Sequence, residues 1–382
     1  METLKFIIES GAKSVITLGE IIKAEVTEWQ NSQERKLMLE GQKYYRGDAD
    51  ILLQEHTAIG EHGRQETVKN LEDNKLVHNF LRKLTDQKND YLLNKPMSIQ
   101  TDNAKYLQQL NDIFDKSMLR KIKNLGKEAI NKGLAWLHVF YDDEGVLSFK
   151  KIPTEECIPL WKDNDHTELD AFIRVYEIEA YEDGLKKIVT KVEFWDTSGV
   201  KKYVLAEDLV PDVEAGEQRS HFSVVEESET NPANWERIPF ICFKYNDDEL
   251  PLIKFVKSLI DDYNKHKSDD SNNLENLPNS KQTRKDIFEF GRGVAFDHDQ
   301  IGDSPSEVYL KLLYADLDMD CNSIETEFKS SLEQLLWFIN VHLYNTTRQD
   351  YTAEKVDFIF NRAIITNESK GITDIKDSVG II

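Results

Sequence analysis

The sequence predicts an α+β chain of 382 residues: a helical block, an antiparallel sheet region, then a second helical block. Three observations carry this. Apolar residues recur at helical spacing up to residue 132, the period falls to two between residues 134 and 244, and helical spacing returns from 251 to 344. Hydrophobic residues make up 40% of the chain, which is enough for a core and excludes wholesale disorder. The length fits two or three domains.

Residues 18–40 read as one amphipathic helix, with Ile21, Ile22, Val26 and Trp29 on its apolar face and Gly41 at its end. Tyr44-Tyr-Arg-Gly47 is a turn in which Gly47 supplies a positive φ, and its tyrosines anchor a junction rather than a ligand. Residues 54–69 form an exposed polar loop. A second helix spans 71–95, with Leu76, Val77, Phe80, Leu81, Leu84, Tyr91 and Leu92 on one stripe and Pro96 closing the segment. One or two helices fill 103–132, and Gly133 punctuates them.

Residues 134–244 read as an antiparallel meander of about five strands. It starts with Leu134–Tyr141 and Val146–Ile152 around the turn Asp142-Asp-Glu-Gly145 and continues through 169–180, 187–196 and 200–205. Residues 206–234 look like an acidic loop, and 235–244 like a last strand. After Pro251 a helix carries an apolar stripe from Leu252 to Tyr263 and runs into the wholly polar stretch 265–273. Residues 285–290 are helical in character, 291–305 form a loop with three glycines, and 308–314 fit a short strand. Asn322 with Glu325 has the form of a capping box opening a strong helix along Ile324, Phe328, Leu332, Leu335, Ile339 and Leu343. Val356–Phe360 reads as a strand.

The 48 Lys+Arg stand against 70 Asp+Glu, a net charge of −22. Such a chain does not grip nucleic acid over a broad surface, because phosphates need cations to displace their counterions. Three scattered cysteines, Cys157, Cys242 and Cys321, exclude a zinc ribbon or disulfide framework and fit a reducing compartment. No signal-peptide form and no run of about 20 apolar residues stands in the sequence. There is no P-loop, GxGxxG, HExxH or GxSxG motif. His56 and His62 beside Glu55 and Glu61, and His298 between Asp297 and Asp299, read as solvated polar residues rather than metal ligands or bases. Adjacent acidic pairs such as Asp142-Asp143 and Asp261-Asp262 read as solvated faces rather than a two-metal site.

Several segments together resemble phage portal proteins, in particular those of long-tailed Bacillus siphophages. They are Tyr44-Tyr-Arg-Gly-Asp-Ala-Asp-Ile51, Asn74–Leu81 followed by Asp90–Pro96, Ile238-Pro-Phe-Ile241 with Lys257–Tyr263, Arg284–Val294, and Glu325–Leu343. None is a catalytic signature; the specific part is that they keep their order over most of the chain.

The resemblance implies a portal fold and a structural, non-enzymatic role without a cofactor. The protein would form a homo-oligomeric ring, twelve-fold in the assembled capsid, at one vertex of the head. Double-stranded DNA would pass through it. Terminase large subunit, major capsid protein, scaffolding protein and head–tail adaptor would be its partners, with assembly in the host cytoplasm and no membrane. Residues 1–244 would be the wing, 251–292 the stem helices with an abbreviated clip at 276–283, and 293–318 the tunnel loop and a short strand. Residues 319–364 would be the long helix and a returning wing strand, and 365–382 the start of a crown. The clip and crown would thus be missing or shortened. Arg292, Asp297, His298, Asp299 and Gln300 would lie on the DNA-facing loop, and Lys265, Lys267, Asp269 and Asp270 on the stem. The alternatives are another head–tail connector or a metal-dependent nuclease.

Overall fold

The computed structural model describes residues 17–54, 57–59, 65–67, 74–182, 185–214, 216, 218–226, 229–272, 280–295 and 311–362. It is an α+β structure of helices and antiparallel strands, as the periodicity predicts.

The first helical stretch is two helices, not one. Helix α1 (Leu18–Asn31) opens on a capping box between Thr17 and Glu20, and Ser32 ends it. The same Ser32 caps α2 (Gln33–Arg46), its hydroxyl accepting from the Arg35 amide at 3.1 Å. Gly41 therefore ends nothing. It lies buried within α2, where a Cβ would come 2.1 Å from the Asn131 carbonyl oxygen, so its role is close helix approach. Gly47 is the left-handed residue that ends α2, at φ 94°.

Residues 74–79, expected to be helical, form no helix, and α3 (Phe80–Leu93) begins only after Asn79, whose side chain accepts from the Arg82 amide. Helices α4 (Ala104–Ile113) and α5 (Lys116–Lys132) follow, capped by Asn103 and Asp115. Short strands β1 (Thr57–Ile59) and β2 (Gln65–Thr67) pair with each other, and β3 (Ser98–Gln100) waits for a partner from the end of the chain.

The described sheet region is two sheets and a two-stranded ribbon rather than one meander. Strands β4 (Leu134–Tyr141) and β5 (Leu147–Ile152) form the expected hairpin, with Asp142 accepting from the Val146 amide and the Ser148 hydroxyl. Those bonds hold the exposed Asp142 carboxyl below its ordinary range. Strands β6 (Cys157–Trp161), β7 (Leu169–Glu182), β8 (Leu185–Asp196), β9 (Gly199–Leu205) and β10 (Leu209–Pro211) make a second sheet in the order β10-β9-β8-β7-β6, and β11 (Gln218–Arg219) also pairs with β9. Residues 206–234, expected to be loop, thus contain strands, including the ribbon β12 (Phe222–Glu226) and β13 (Glu229–Ala233). Their two prolines misled the reading. Pro211 ends a short strand, and Pro232 lies in a two-stranded ribbon, positions where a missing N–H is tolerated. Strand β14 (Phe240–Lys244) adds to the free edge of β4, giving β14-β4-β5; all five of its residues are buried.

Helices α6 (Ile253–Ser271) and α7 (Ser280–Phe290) run back along each other: Gly291 stands beside Val256, and Thr283 donates to Asp262 at 3.3 Å. The expected strand at 308–314 is not formed in its described part, since residues 311–313 are helical. Helix α8 (Ala315–Thr347) starts well before Asn322. That residue is therefore no N-cap, and its side chain instead accepts from Arg362 at 2.5 Å. Strand β15 (Asp357–Ile359) pairs with β3 and ties the end of the described chain to its first third.

The main core joins α3, α5, β4, β14, α6, α7 and α8, while two smaller clusters glue the second sheet to α1 and to the first sheet. At that last junction His138 stacks on Phe240 (4.5 Å) and meets Trp195 edge-on (4.9 Å). Burial, reinforced by Arg174, Lys150 and His221, pushes its pKa down to about 3. The unfolded chain binds that proton below about 6.5 and the folded chain does not until about 3, so this site loses stability as pH falls through that window. A shift of one unit is worth ~1.4 kcal/mol, and partial exposure of the ring trims the total to roughly 2–3 kcal/mol. His138→Phe should therefore flatten the pH dependence of urea unfolding between pH 6.5 and 4, and an unchanged slope would contradict the assignment.

Candidate functional site

The structure concentrates unusual chemistry where α7 ends. Arg292 adopts φ 47° although glycines flank it on both sides. The glycines are needed for something else. A Cβ on Gly291 would lie 2.7 Å from Leu84 Cδ1, and one on Gly293 would lie 2.2 Å from Leu84 Cδ2. They let the turn press onto α3, so the left-handed conformation falls to the residue between them. These two glycines act as packing residues rather than as hinges.

Two residues of α3 fasten the turn. Gln87 makes a two-way bond to Val294, donating to its carbonyl (3.1 Å) and accepting from its amide (2.9 Å). Lys88 is completely buried, and its ammonium donates to the Arg292 carbonyl (3.0 Å) and to Asp320 Oδ2 of α8 (2.6 Å). Tyr245, just past β14, donates to the same carboxylate at 2.9 Å. Burial lowers the Lys88 pKa, opposed by Asp320, and raises that of Tyr245 well above its ordinary value. The Arg292 guanidinium lies 3.5 Å from the other Asp320 oxygen but is 56% exposed. Of the two cations on Asp320, Lys88 is thus the structural one, and Arg292 keeps most of its solvent contact.

The sequence-predicted stem residues lie on α6. Lys265 is exposed; Lys267 pairs with Asp270 at 3.3 Å; Asp269 and Asp270 are half-exposed; and His266 faces Asp262 at 3.1 Å. They do not converge with Arg292 on one site. Asp297, His298, Asp299 and Gln300 lie outside the described residues, as do His56, His62, the clip positions up to 279 and the crown positions. Among the described residues no group of three or more His, Cys, Asp or Glu could hold a metal ion, and no helix is long and apolar enough to cross a membrane.

The opposite face of α6 carries residues that the sequence reading passed over. Asn264, Ser268 and Asn272 are buried and accept from the amides of His78 (2.8 Å), Leu76 (2.9 Å) and Asn74 (2.9 Å). Four residues of helix rise about 6 Å and two of extended chain about 6.6 Å, so the two rows stay in step. Nearer the start of α6, Lys257 binds Asp50 (2.6 Å) and Asp261 (2.7 Å) under the Tyr44 ring, and Tyr44 itself hydrogen-bonds Asp261. Tyr44 to Arg46, expected in a turn, instead form the end of α2, and Tyr44 joins that helix to α6. Burial would raise the Asp50 pKa, but Lys257 and Lys43 outweigh it and hold the carboxyl at about 2.

The helix pair α6–α7, the turn that follows it and the long helix α8 are the parts to which the resemblance to phage portal proteins assigns stem, tunnel loop and the helix behind it. The comparisons agree: the family described as "Phage portal protein, SPP1 Gp6-like" matches residues 27–281 and 280–382, and the chain belongs to it. It is 26% identical to the portal protein of Clostridium phage phiCD119 over 415 residues, covering 91% of this chain and 89% of that protein. It is 23% identical to the portal protein of Bacillus phage SPP1 over 429 residues, covering 99% of this chain and 84% of that one. Both alignments are longer than the 382 residues here, so those relatives carry segments that this chain lacks.

Proposed function

We propose that copies of this chain form the ring at the unique vertex of a tailed-phage head, through which double-stranded DNA is packaged and later ejected. The observation that carries this is the family match, which runs in order through almost the whole chain. The ring has twelve subunits in the capsid, meets major capsid and scaffolding proteins on its rim, and docks the terminase large subunit and then the head–tail adaptor. Residues up to 244 form the wing, α6 and α7 the stem, 293–306 the tunnel loop, α8 the helix behind it, and 365–382 the start of a crown. The clip is abbreviated to the connection between the stem helices. The break of the family match at 280–281, where α7 begins, supports that reading.

Arg292, Asp297, His298, Asp299 and Gln300 face the DNA, while Lys265, Lys267, Asp269 and Asp270 line the stem. A net charge of −22 suits a wall that repels phosphates and lets duplex slide, with Arg292 as an isolated cation near the constriction. ATP hydrolysis belongs to the terminase partner, and this protein performs no chemistry on DNA.

Negative-stain imaging of the purified chain should show rings with an axial hole wide enough for duplex DNA. A strictly monomeric protein at high concentration would overturn the reading. So would duplex cleavage with Mg²⁺ or Mn²⁺ that a chelator abolishes.

A further inference from the structure

Two cations share one nearly buried carboxylate behind the end of α7, and they share it unequally. Asp320 is 8% exposed. Its Oδ2 takes the Lys88 ammonium at 2.6 Å and the Tyr245 hydroxyl at 2.9 Å. Its Oδ1 has only the long contact to the Arg292 guanidinium at 3.5 Å. Lys88 cannot leave: it is completely buried and also donates to the Arg292 carbonyl. Arg292 keeps 56% of its side chain in solvent, and Asp320 is its one ion-pair partner among the described residues. The two like charges also repel, so the ammonium that satisfies Asp320 weakens the hold of that carboxylate on the guanidinium.

We propose that Lys88 keeps Arg292 available for a phosphate: by neutralising Asp320 from inside, it lets the arginine leave that carboxylate and take a phosphodiester of the passing duplex. The inference deepens the DNA-facing reading of Arg292 above and rests on it. Charge counting carries the argument. With Lys88 in place, an arginine that swings off Asp320 leaves a carboxylate still held by an ammonium and a hydroxyl. Without that ammonium the same movement leaves a bare, nearly buried anion, so Asp320 holds the arginine. The backbone stays fixed throughout, because Gln87 grips Val294 and the flanking glycines press on Leu84. Only the side chain moves, and its planar fork matches phosphate oxygens as well as it does a carboxylate. Lys88 is thus a positioning residue, and Arg292 is the group that makes the contact.

The test reads the freedom of the guanidinium itself. Phenylglyoxal modifies exposed, weakly held arginines, and mass spectrometry of the peptide carrying residue 292 gives the rate in the full chain. Lys88→Met should slow modification of Arg292 by about tenfold or more, although the arginine is unchanged. A merely loosened fold would speed it, so the sign separates the two causes. Lys88→Met/Asp320→Asn should restore the parent rate. Should Lys88→Met not fold, Tyr245→Phe removes one hydrogen bond from the same carboxylate and should slow modification about threefold. Assembled parent protein is then modified with and without short duplex DNA, which should protect Arg292. Equal rates in the parent and the folded variant overturn the role of Lys88 and leave the DNA-facing reading standing. No protection by DNA, with the Lys88 effect intact, removes the phosphate ligand and with it the DNA-facing reading of Arg292.

Discussion

Lys88→Met will lower the stability of the folded chain by about 3 kcal/mol or more, the largest single-residue effect outside the glycines. The ammonium is completely buried and bonded to Asp320 and to the Arg292 carbonyl. Methionine fills the same volume, so the loss is electrostatic rather than a cavity. What remains is an Asp320 carboxylate, itself nearly buried, whose remaining cation is the solvent-exposed Arg292 at 3.5 Å. Removing one partner of a buried pair typically costs ~3–5 kcal/mol because the other charge is left uncompensated. Lys88→Met/Asp320→Asn should recover at least half of the loss, since the amide still accepts from Tyr245 and carries no charge. Arg292→Gln should change stability by less than about 0.5 kcal/mol, as exposed pairs do. Urea unfolding of the three variants decides the matter. Equal effects of Lys88→Met and Arg292→Gln would mean that burial does not set the strength of this junction.

Much of the architecture follows from periodicity alone. Helices α3 to α8 and the β4–β5 hairpin come from stripes and turn residues whose physics is local. What escaped was set by contacts distant in sequence. Gly41 looks like a stop signal, and only the arrival of Asn131 against α2 makes it a packing residue. Asn322 and Glu325 have the spacing of a capping box, yet α8 starts earlier, and the pair serves Arg362 instead. Strands β10 to β13 are short, and they form because β9 or a sister strand is there to pair with them.

Lys88 left a readable trace. It falls on the stripe of Leu81, Leu84, Tyr91 and Leu92, so a lysine stood where an apolar residue was due. A charge on a buried stripe predicts a buried counter-charge, though not which of the many acids supplies it. The loop positions assigned from the family resemblance carried no such local signal: in an acidic chain, Asp-His-Asp-Gln in a glycine-bearing loop looks like any solvated turn.

The same logic governs α6. Val256, Ile260, Asn264, Ser268 and Asn272 stand four apart, so the apolar stripe does not end at Tyr263 but changes from hydrocarbon to amide and hydroxyl. A solvated helix end has no need of such a row; a helix end that receives an extended strand does. The strap 74–79 has no strand partner among the described residues, and three of its amides are satisfied by these side chains. Asn264→Ala/Ser268→Ala/Asn272→Ala should therefore free the strap without melting α6, because alanine raises helix propensity at each position. Each orphaned amide costs about 1–3 kcal/mol if it stays buried, so the strap will leave the helix rather than bear a summed cost of roughly 3 kcal/mol or more. Hydrogen exchange should show protection lost at His78, Leu76 and Asn74 while residues 253–263 keep theirs. Parallel loss along the whole of α6 would mean that the row holds the helix itself, and unchanged protection at 74–78 would mean that other contacts hold the strap. The first outcome has a consequence for the column. His78 also meets Tyr263 edge-on at 5.0 Å, and Phe80 meets both Tyr263 and Phe288. A freed strap thus loosens the aromatic joint between α6, α7 and α3.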